Sequence, residues 1–431
     1  FRTFLGQDPD ARVRHPLAYS GFGTRALGIT TRGQRKNTAA ILIPSVGCPV
    51  GCNFCSTSAM FGGKGKFLSF YETGDELFAV MCQIEDKLES RSFFVLDENF
   101  LLHRQRTLRL LELMQEHNKS WSLYVFSSAR VVKSYTIEQL VGLGVSWVWL
   151  GLEGEDSRYR KLRGVDTHDL VRNLQSHGIR VLGSTIIGLE EHTPENIDDV
   201  ISHAVSHDTV FHQFMLYTPM PGTELYEQHR LDGTLLPESD CPAPDVHGQL
   251  RFNYRHDNIR DGQEGRFLLE AFRRDFEVNG PSLVRMIQTT LEGWRRYKNH
   301  PEKRIRDRYA WEVRLVSGSY AGLVWAAKKW FRRQGLDVDK ISSTLDEIHR
   351  EFGLKSRLAS ALMGPVIYRR LEKEPRRRAN GWTYEPTTIC EKNAEALEVE
   401  RNSRAGFKSQ LPEIQWATIE PSFAAGSSTL R

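Results

Sequence analysis

Residues 38–55 read Thr38-Ala39-Ala40-Ile41-Leu42-Ile43-Pro44-Ser45-Val46-Gly47-Cys48-Pro49-Val50-Gly51-Cys52-Asn53-Phe54-Cys55, an apolar run that ends in three closely spaced thiols. The run at 40–44 has the length and make-up of a buried strand. Five similar runs follow, at 93–97, 122–126, 145–152, 179–187 and 210–216. Helical periodicity fills the gaps between them, at 73–89, 104–117, 136–142, 167–177 and 194–206. Thr73 with Glu76 three residues on predicts a capping box, and Pro194 suits the first turn of its helix. Strands joined by crossovers long enough for a helix pair in parallel. Their near-continuous apolar character predicts that both faces are covered. Six β/α units in a row point to an α/β fold, a partial (β/α)6 TIM-like barrel; a doubly wound sheet is the alternative.

In such folds the chemistry lies at the C-terminal ends of the strands. The residues just past each run are, in order, the three cysteines; Asp97-Glu98-Asn99; Ser127-Ser128 with Arg130; Glu153; Gly188-Leu189-Glu190; and Pro219-Met220-Pro221-Gly222. Loops are polar in any protein, so one of these alone says little. Three thiols in the first loop make the set read as a site. Three thiolates can ligate three irons of a cubane cluster and leave the fourth without a protein ligand. A structural zinc would need a fourth Cys or His, and the nearest histidines in sequence are His15 and His103.

The other thiols, Cys82, Cys241 and Cys390, are scattered. Cys82 reads as core beside Met81, and neither Cys241 nor Cys390 has an activating neighbour. Six cysteines are too few for a disulfide framework and fit a reducing compartment with one metal site. His203 and His207, with His212 on the next strand, have the spacing of a metal face. Their helix faces outward in a barrel, which predicts surface histidines instead.

The cysteine segment resembles the radical S-adenosylmethionine (SAM) superfamily, whose signature is C-x3-C-x2-C with an aromatic residue before the last thiol. Cys48, Cys52, Phe54 and Cys55 match in spacing and type. The resemblance implies a six-unit partial barrel with a [4Fe–4S] cluster on Cys48, Cys52 and Cys55. SAM would chelate the open iron and be cleaved to methionine and a 5′-deoxyadenosyl radical. It also implies SAM-binding roles: Asp97, Glu98 and Asn99 near the amino group, Arg130 on the carboxylate, Glu153 on the ribose, Ile186 and Gly188 near the adenine. Ser184 stands where the family has the first glycine of its fifth-strand pattern. The implied partners are a small-molecule or lipid-like substrate and a low-potential electron donor of flavodoxin or ferredoxin type.

Two phrases, Phe94-Val95-Leu96-Asp97-Glu98-Asn99-Phe100 and Tyr217-Thr218-Pro219-Met220-Pro221-Gly222-Thr223, resemble the cobalamin-associated branch. Many of its members are methyltransferases acting on unactivated carbon, and cobalamin is a candidate further cofactor. That branch places a cobalamin domain before the barrel, and only about 40 residues precede the cysteines here. Phe1 is not an initiator methionine, so an upstream segment carrying that domain is expected; a lineage without one is the alternative. The methylthiotransferases fit less well, because no second set of three cysteines is present.

Length and charge support two bodies. The 431 residues carry 58 Lys and Arg against 54 Asp and Glu. Residues 1–250 hold 24 basic and 30 acidic side chains, whereas 251–431 hold 34 and 24. After 250 the pattern is helical, at 263–278, 281–297, 303–334, 340–352 and 355–374. The reading is an extension at 1–36, a barrel at 37–250, a helical accessory domain at 251–378 and a poorly ordered tail at 379–431. Basic pairs and triplets at 273–274, 295–296, 328–329, 332–333 and 376–378 leave nucleic-acid binding open. Aromatic and basic residues at 315–331 suggest a helix resting on a membrane. Solvated rims are the bland reading of both. The apolar stretch at 315–327 is too short to span a bilayer, and the expected location is cytoplasmic, with peripheral membrane contact as an option. The rival to the enzyme is a zinc- or cluster-stabilised RNA-binding protein.

Overall fold

The computed structural model describes residues 15–20, 24–31, 38–153, 164–241 and 250–383. Cys390 and nearly all of the tail expected from 379 lie outside the described residues.

Six parallel strands form the frame: β1 (Ala39–Leu42), β2 (Ser92–Val95), β3 (Ser122–Phe126), β4 (Val145–Gly151), β5 (Arg180–Ile187) and β6 (Phe211–Leu216). They lie side by side in chain order, with the short strand Tyr19–Ser20 antiparallel at the β1 edge. Unbroken sequential order is the winding of a barrel, whereas a doubly wound sheet reverses at a switch point. Among the described residues no ladder joins β6 to β1, so the barrel is partial. The register runs Ala40 to Phe93, Ser92 to Ser122, Tyr124 to Trp147, Trp147 to Arg180 and Leu182 to Phe211.

Each crossover carries a helix. After α1 (Ser56–Met60), α2 (Gly74–Leu88) opens on the capping box of Thr73 and Glu76 and buries Leu77, Met81 and Ile84. Next come α3 (Arg104–Glu116), α4 (Ala129–Lys133), α5 (Ile137–Gly142), α6 (Thr167–Ser176) and α7 (Ile197–Ser206). Pro194 lies ahead of α7 rather than in its first turn. The Thr193 hydroxyl accepts from the Glu195 and Asn196 amides, and this local turn delays the helix.

The sheet's two faces differ. Leu42, Phe93, Val95, Leu123, Val125, Val148, Leu150 and Val181 are buried in one cluster with residues of α2, α3, α5 and α6. On the concave face, Ile41, Phe94, Phe126, Trp147, Trp149 and Leu182 are only half-buried, and Phe211 and Met215 are exposed. The expectation of two covered faces therefore fails for the inner one.

α8 (Glu224–Leu231) follows β6, and the helices after 250 pack on this frame: α9 (Gln263–Asn279), α10 (Ser282–Tyr297), α11 (Lys303–Val313), α12 (Ala321–Arg333), α13 (Asp339–Glu372) and α14 (Glu374–Ala379). Ile305 and Tyr309 of α11 lie in the same core as the strands. The helix expected at 303–334 is interrupted by a π-turn, Val316–Tyr320, over Ser317-Gly318-Ser319. Gly353, at φ +56°, kinks α13 at the gap that the periodicity left between 352 and 355.

Many of the basic residues are structural. The Arg180 guanidinium pairs with Glu312, and Arg285 pairs with Asp275 at 2.6 Å, all four side chains being buried. Arg304 and Arg308 donate to the carbonyls of Gly142 (2.6 Å) and Val141 (3.0 Å), satisfying the C-terminal end of α5. Arg274 pairs with Asp198, and Arg295 with Glu347. The histidines also correct the reading from sequence. His207 and His212 are buried, not superficial. His207 hydrogen-bonds Thr167 at 2.8 Å and stacks on His168, while His212 bonds Thr185 at 2.9 Å.

Candidate active site

The cysteine loop sits at the C-terminal end of β1, where the fold predicts chemistry. Ser45–Val46 pairs antiparallel with Leu68–Ser69, which closes the loop at its base. Inside it, Gly47 and Gly51 hold positive φ (+86° and +70°), and a Cβ on Gly51 would meet Lys64 at 2.5 Å. Only glycine fits these turns without strain. The chain then enters α1 with Cys55 at the N-cap position. The Cys55 amide donates to the Cys52 carbonyl at 3.0 Å, and the Ser58 hydroxyl to the Cys48 carbonyl at 2.8 Å. All three cysteines are half-buried and outside any disulfide. Burial pushes the Cys48 thiol up, and the charges of Cys55, Glu98 and Asp97 add to that.

The loop reaches across the barrel mouth. Leu225 at the start of α8 donates its amide to the Asn53 carbonyl at 3.1 Å. Asn53 Nδ2 donates to the Tyr217 hydroxyl (3.1 Å), which lies 3.2 Å from Glu190 Oε1. Phe54 meets the buried Tyr217 ring edge-on at 5.9 Å. The first loop is thus tied to the ends of β5 and β6 as well as to β1. These ties were not read from the sequence; a buried tyrosine just past a strand end was the available signal.

The acidic patch after β2 divides its roles. Asp97 is buried and committed to structure: it pairs with Arg106 at 3.0 Å, bonds the Ser45 hydroxyl and accepts from the Asn99 amide at 3.1 Å. Arg106 was also missed, though an arginine on the apolar stripe of α3 is a visible anomaly. Asn99 links two strand ends, its Oδ1 accepting from the Ser127 hydroxyl (2.9 Å) and the Ser128 amide (3.2 Å). Glu98 is different. It touches the Gly47 amide, but Oε2 is buried without a hydrogen-bond partner, and burial raises its carboxyl pKa, Asp97 adding to the effect.

The remaining residues are spread around the rim. Arg130 is exposed on α4, and Glu153 is buried just past β4. Ile186 faces the barrel interior in register with Met215. Gly188 has φ +88°, and a Cβ there would meet the Phe252 ring at 2.3 Å, so packing alone demands glycine. His15 accepts from the Ile43 amide (2.9 Å), and the His103 ring packs on Phe67 at 4.7 Å. Among the described residues no three His, Cys, Asp or Glu side chains converge on one cation position.

A family model described as the radical SAM superfamily matches residues 42–204. An uncharacterized methyltransferase of Pyrococcus horikoshii is 27% identical over 201 residues, covering 46% of this chain and 43% of the relative. Bacteriochlorophyllide d C-12(1)-methyltransferase of Chlorobaculum tepidum is 25% identical over 43% of this chain and 42% of its own. Hopanoid C-2 methylase of Rhodopseudomonas palustris is 25% identical over 44% and 38%. The chain spans less than half the length of each of these relatives. Among solved structures it is similar to the radical SAM methyltransferase TsrM of Kitasatospora setae, at 15% identity and a TM-score of 0.44, over 67% of this chain and 64% of that one. The matched stretch takes in the thiol loop and strands β2 to β5, and over residues 42–204 the chain is similar to the radical SAM superfamily.

Proposed function

We propose that this chain holds a [4Fe–4S] cluster through Cys48, Cys52 and Cys55, binds SAM over the strand ends, and methylates carbon of a small apolar substrate. The observation that carries the reading is three cysteines outside any disulfide in a glycine-turned loop at the mouth of the barrel, beside the buried, unpartnered Glu98 Oε2. A single zinc needs its ligands on one point, whereas a cubane takes one thiolate at each of three corners.

With cluster and SAM bound, the pair would supply a carbon-centred radical: one electron from a flavodoxin- or ferredoxin-type donor would pass through the cluster to SAM and break one of its carbon–sulfur bonds. The chain's own residues bind and orient. Glu98 Oε2 accepts a hydrogen bond from the SAM ammonium, and Asn99 holds the β2 and β3 ends in place around it. Asp97, occupied by Arg106 and Ser45, is a positioning residue. On the family resemblance, Arg130, exposed on α4, would meet the SAM carboxylate, Glu153 the ribose, and Ile186 and Gly188 the adenine. The half-buried Phe94, Phe126 and Trp149 form an apolar wall for substrate, Phe126 and Trp149 stacking at 4.9 Å. Methylation is supported by the names of the relatives. Cobalamin rests on the resemblance of residues 94–100 and 217–223. The RNA-binding alternative is not favoured, since much of the basic surface is already paired with acids.

The test is the metal content of anaerobically reconstituted protein. Equal iron and labile sulfide, lost in Cys48→Ala, Cys52→Ala and Cys55→Ala, are expected. Stoichiometric zinc without iron would overturn the proposal.

A further inference from the structure

The aromatic and basic stretch at 315–331 turns inward: Ala321 and Val324 are buried, and Trp325 and Phe331 pack in the helical core. An apolar ridge is exposed on the next helix instead. Along α13, Leu354, Leu358, Leu362 and Val366 recur every fourth residue and are 72%, 52%, 72% and 53% exposed, with Met363 beside them at 40%. The opposite side of the helix is committed to α12. Ser356, Ser360, Gly364 and Tyr368 are buried, the Ser360 hydroxyl donates to the Ala321 carbonyl at 3.2 Å, and a Cβ on Gly364 would strike the Trp325 ring at 2.4 Å. The ridge is therefore the free face of a fixed helix, about 18 Å long at 1.5 Å per residue.

Its surroundings are cationic. Lys355, Arg357, Arg369, Lys373, Arg376 and Arg378 are exposed along and beyond it. Residues 354–379 carry eight Lys and Arg against only Glu372 and Glu374, and those two are paired with Arg333 and Arg377. Leucines with unneutralised cations beside them match the boundary of an anionic bilayer, where acyl chains take the one and headgroups the other. A second copy of this chain would meet the ridge with the same positive surface, and like charges disfavour that contact. Nucleic acid would neutralise the cations and leave the leucines in water.

We propose that α13, from Leu354 to its end at Glu372, with Lys373 beyond it, docks this protein on an anionic membrane surface. It lies on the surface and does not cross, since no helix among the described residues is long and apolar enough to span a bilayer. The proposal is independent of the radical chemistry. Its test is co-sedimentation of the full chain with vesicles of phosphatidylcholine alone or with phosphatidylglycerol added, alongside light scattering for oligomeric state. Pelleting only with the anionic vesicles is expected, falling at least tenfold in Leu358→Glu/Leu362→Glu and in Lys355→Glu/Arg369→Glu. Both are surface variants, and their melting curves confirm folding. Absence of pelleting, equal pelleting on both vesicle types, equal pelleting of either variant, or a wild-type dimer that Leu358→Glu/Leu362→Glu dissociates would overturn it.

Discussion

At Glu98 one carboxylate oxygen is buried with nothing to donate to it. Such a group costs on the order of 1–3 kcal/mol unless a ligand supplies the missing hydrogen bond, and the SAM ammonium is a donor of the right charge. Glu98→Gln is expected to weaken SAM binding about tenfold in equilibrium dialysis without loss of iron; unchanged affinity would place the amino group elsewhere. Its neighbour behaves oppositely. Asp97 and Arg106 are both buried and pair at 3.0 Å, so Asp97→Asn strands a guanidinium and should cost about 3 kcal/mol in denaturant unfolding. A loss under 1 kcal/mol would show that Arg106 finds another acceptor. Sequence alone singled out the Asp97-Glu98-Asn99 patch but not this division of labour. The division depends on Ser45 and Arg106, which approach from other elements.

Elements were legible where local pattern decides them. The apolar runs place all six strands to within about two residues, and Thr73 with Glu76 marks the start of α2. What failed had a local competitor or a distant cause. Thr193 forms a turn that displaces Pro194 from α7, and Ser317-Gly318-Ser319 admits a π-turn where periodicity continues. Glu312 meets Arg180 across 132 residues, a pairing no window of sequence contains. Gly188 shows how packing hides inside a motif. The glycine matches a pattern tied to cofactor binding, yet its φ of +88° and the Phe252 ring 2.3 Å from a built Cβ already require it. Gly188→Ala is expected to lower stability by about 2 kcal/mol, measured by chemical denaturation on cluster-free protein. An unaffected midpoint would mean that Phe252 moves aside.

At the scale of the molecule, the split of charge along the chain does not mark free basic surface. Arg285, Arg304 and Arg308 are spent fastening helices to the barrel, and the cations left over gather near the ridge of α13. The same packing fixes the response to pH. Burial lowers His207 to about 3 and His212 to about 4, against an ordinary value near 6.5. Both are neutral in the fold and free to protonate when unfolded, so their contribution is complete above pH 6.5 and is lost as pH falls toward 4 and 3. Melting temperature should drop between pH 7 and pH 5, and His207→Asn/His212→Asn should flatten that slope; an unchanged slope would assign acid sensitivity to other groups. The chemistry itself is tested most directly by SAM turnover. Anaerobically reconstituted protein with a strong reductant is expected to release 5′-deoxyadenosine, and Cys48→Ala, Cys52→Ala and Cys55→Ala should each abolish the product. A cluster-loaded wild type that leaves SAM intact, or cysteine variants that still cleave it, would contradict the assignment.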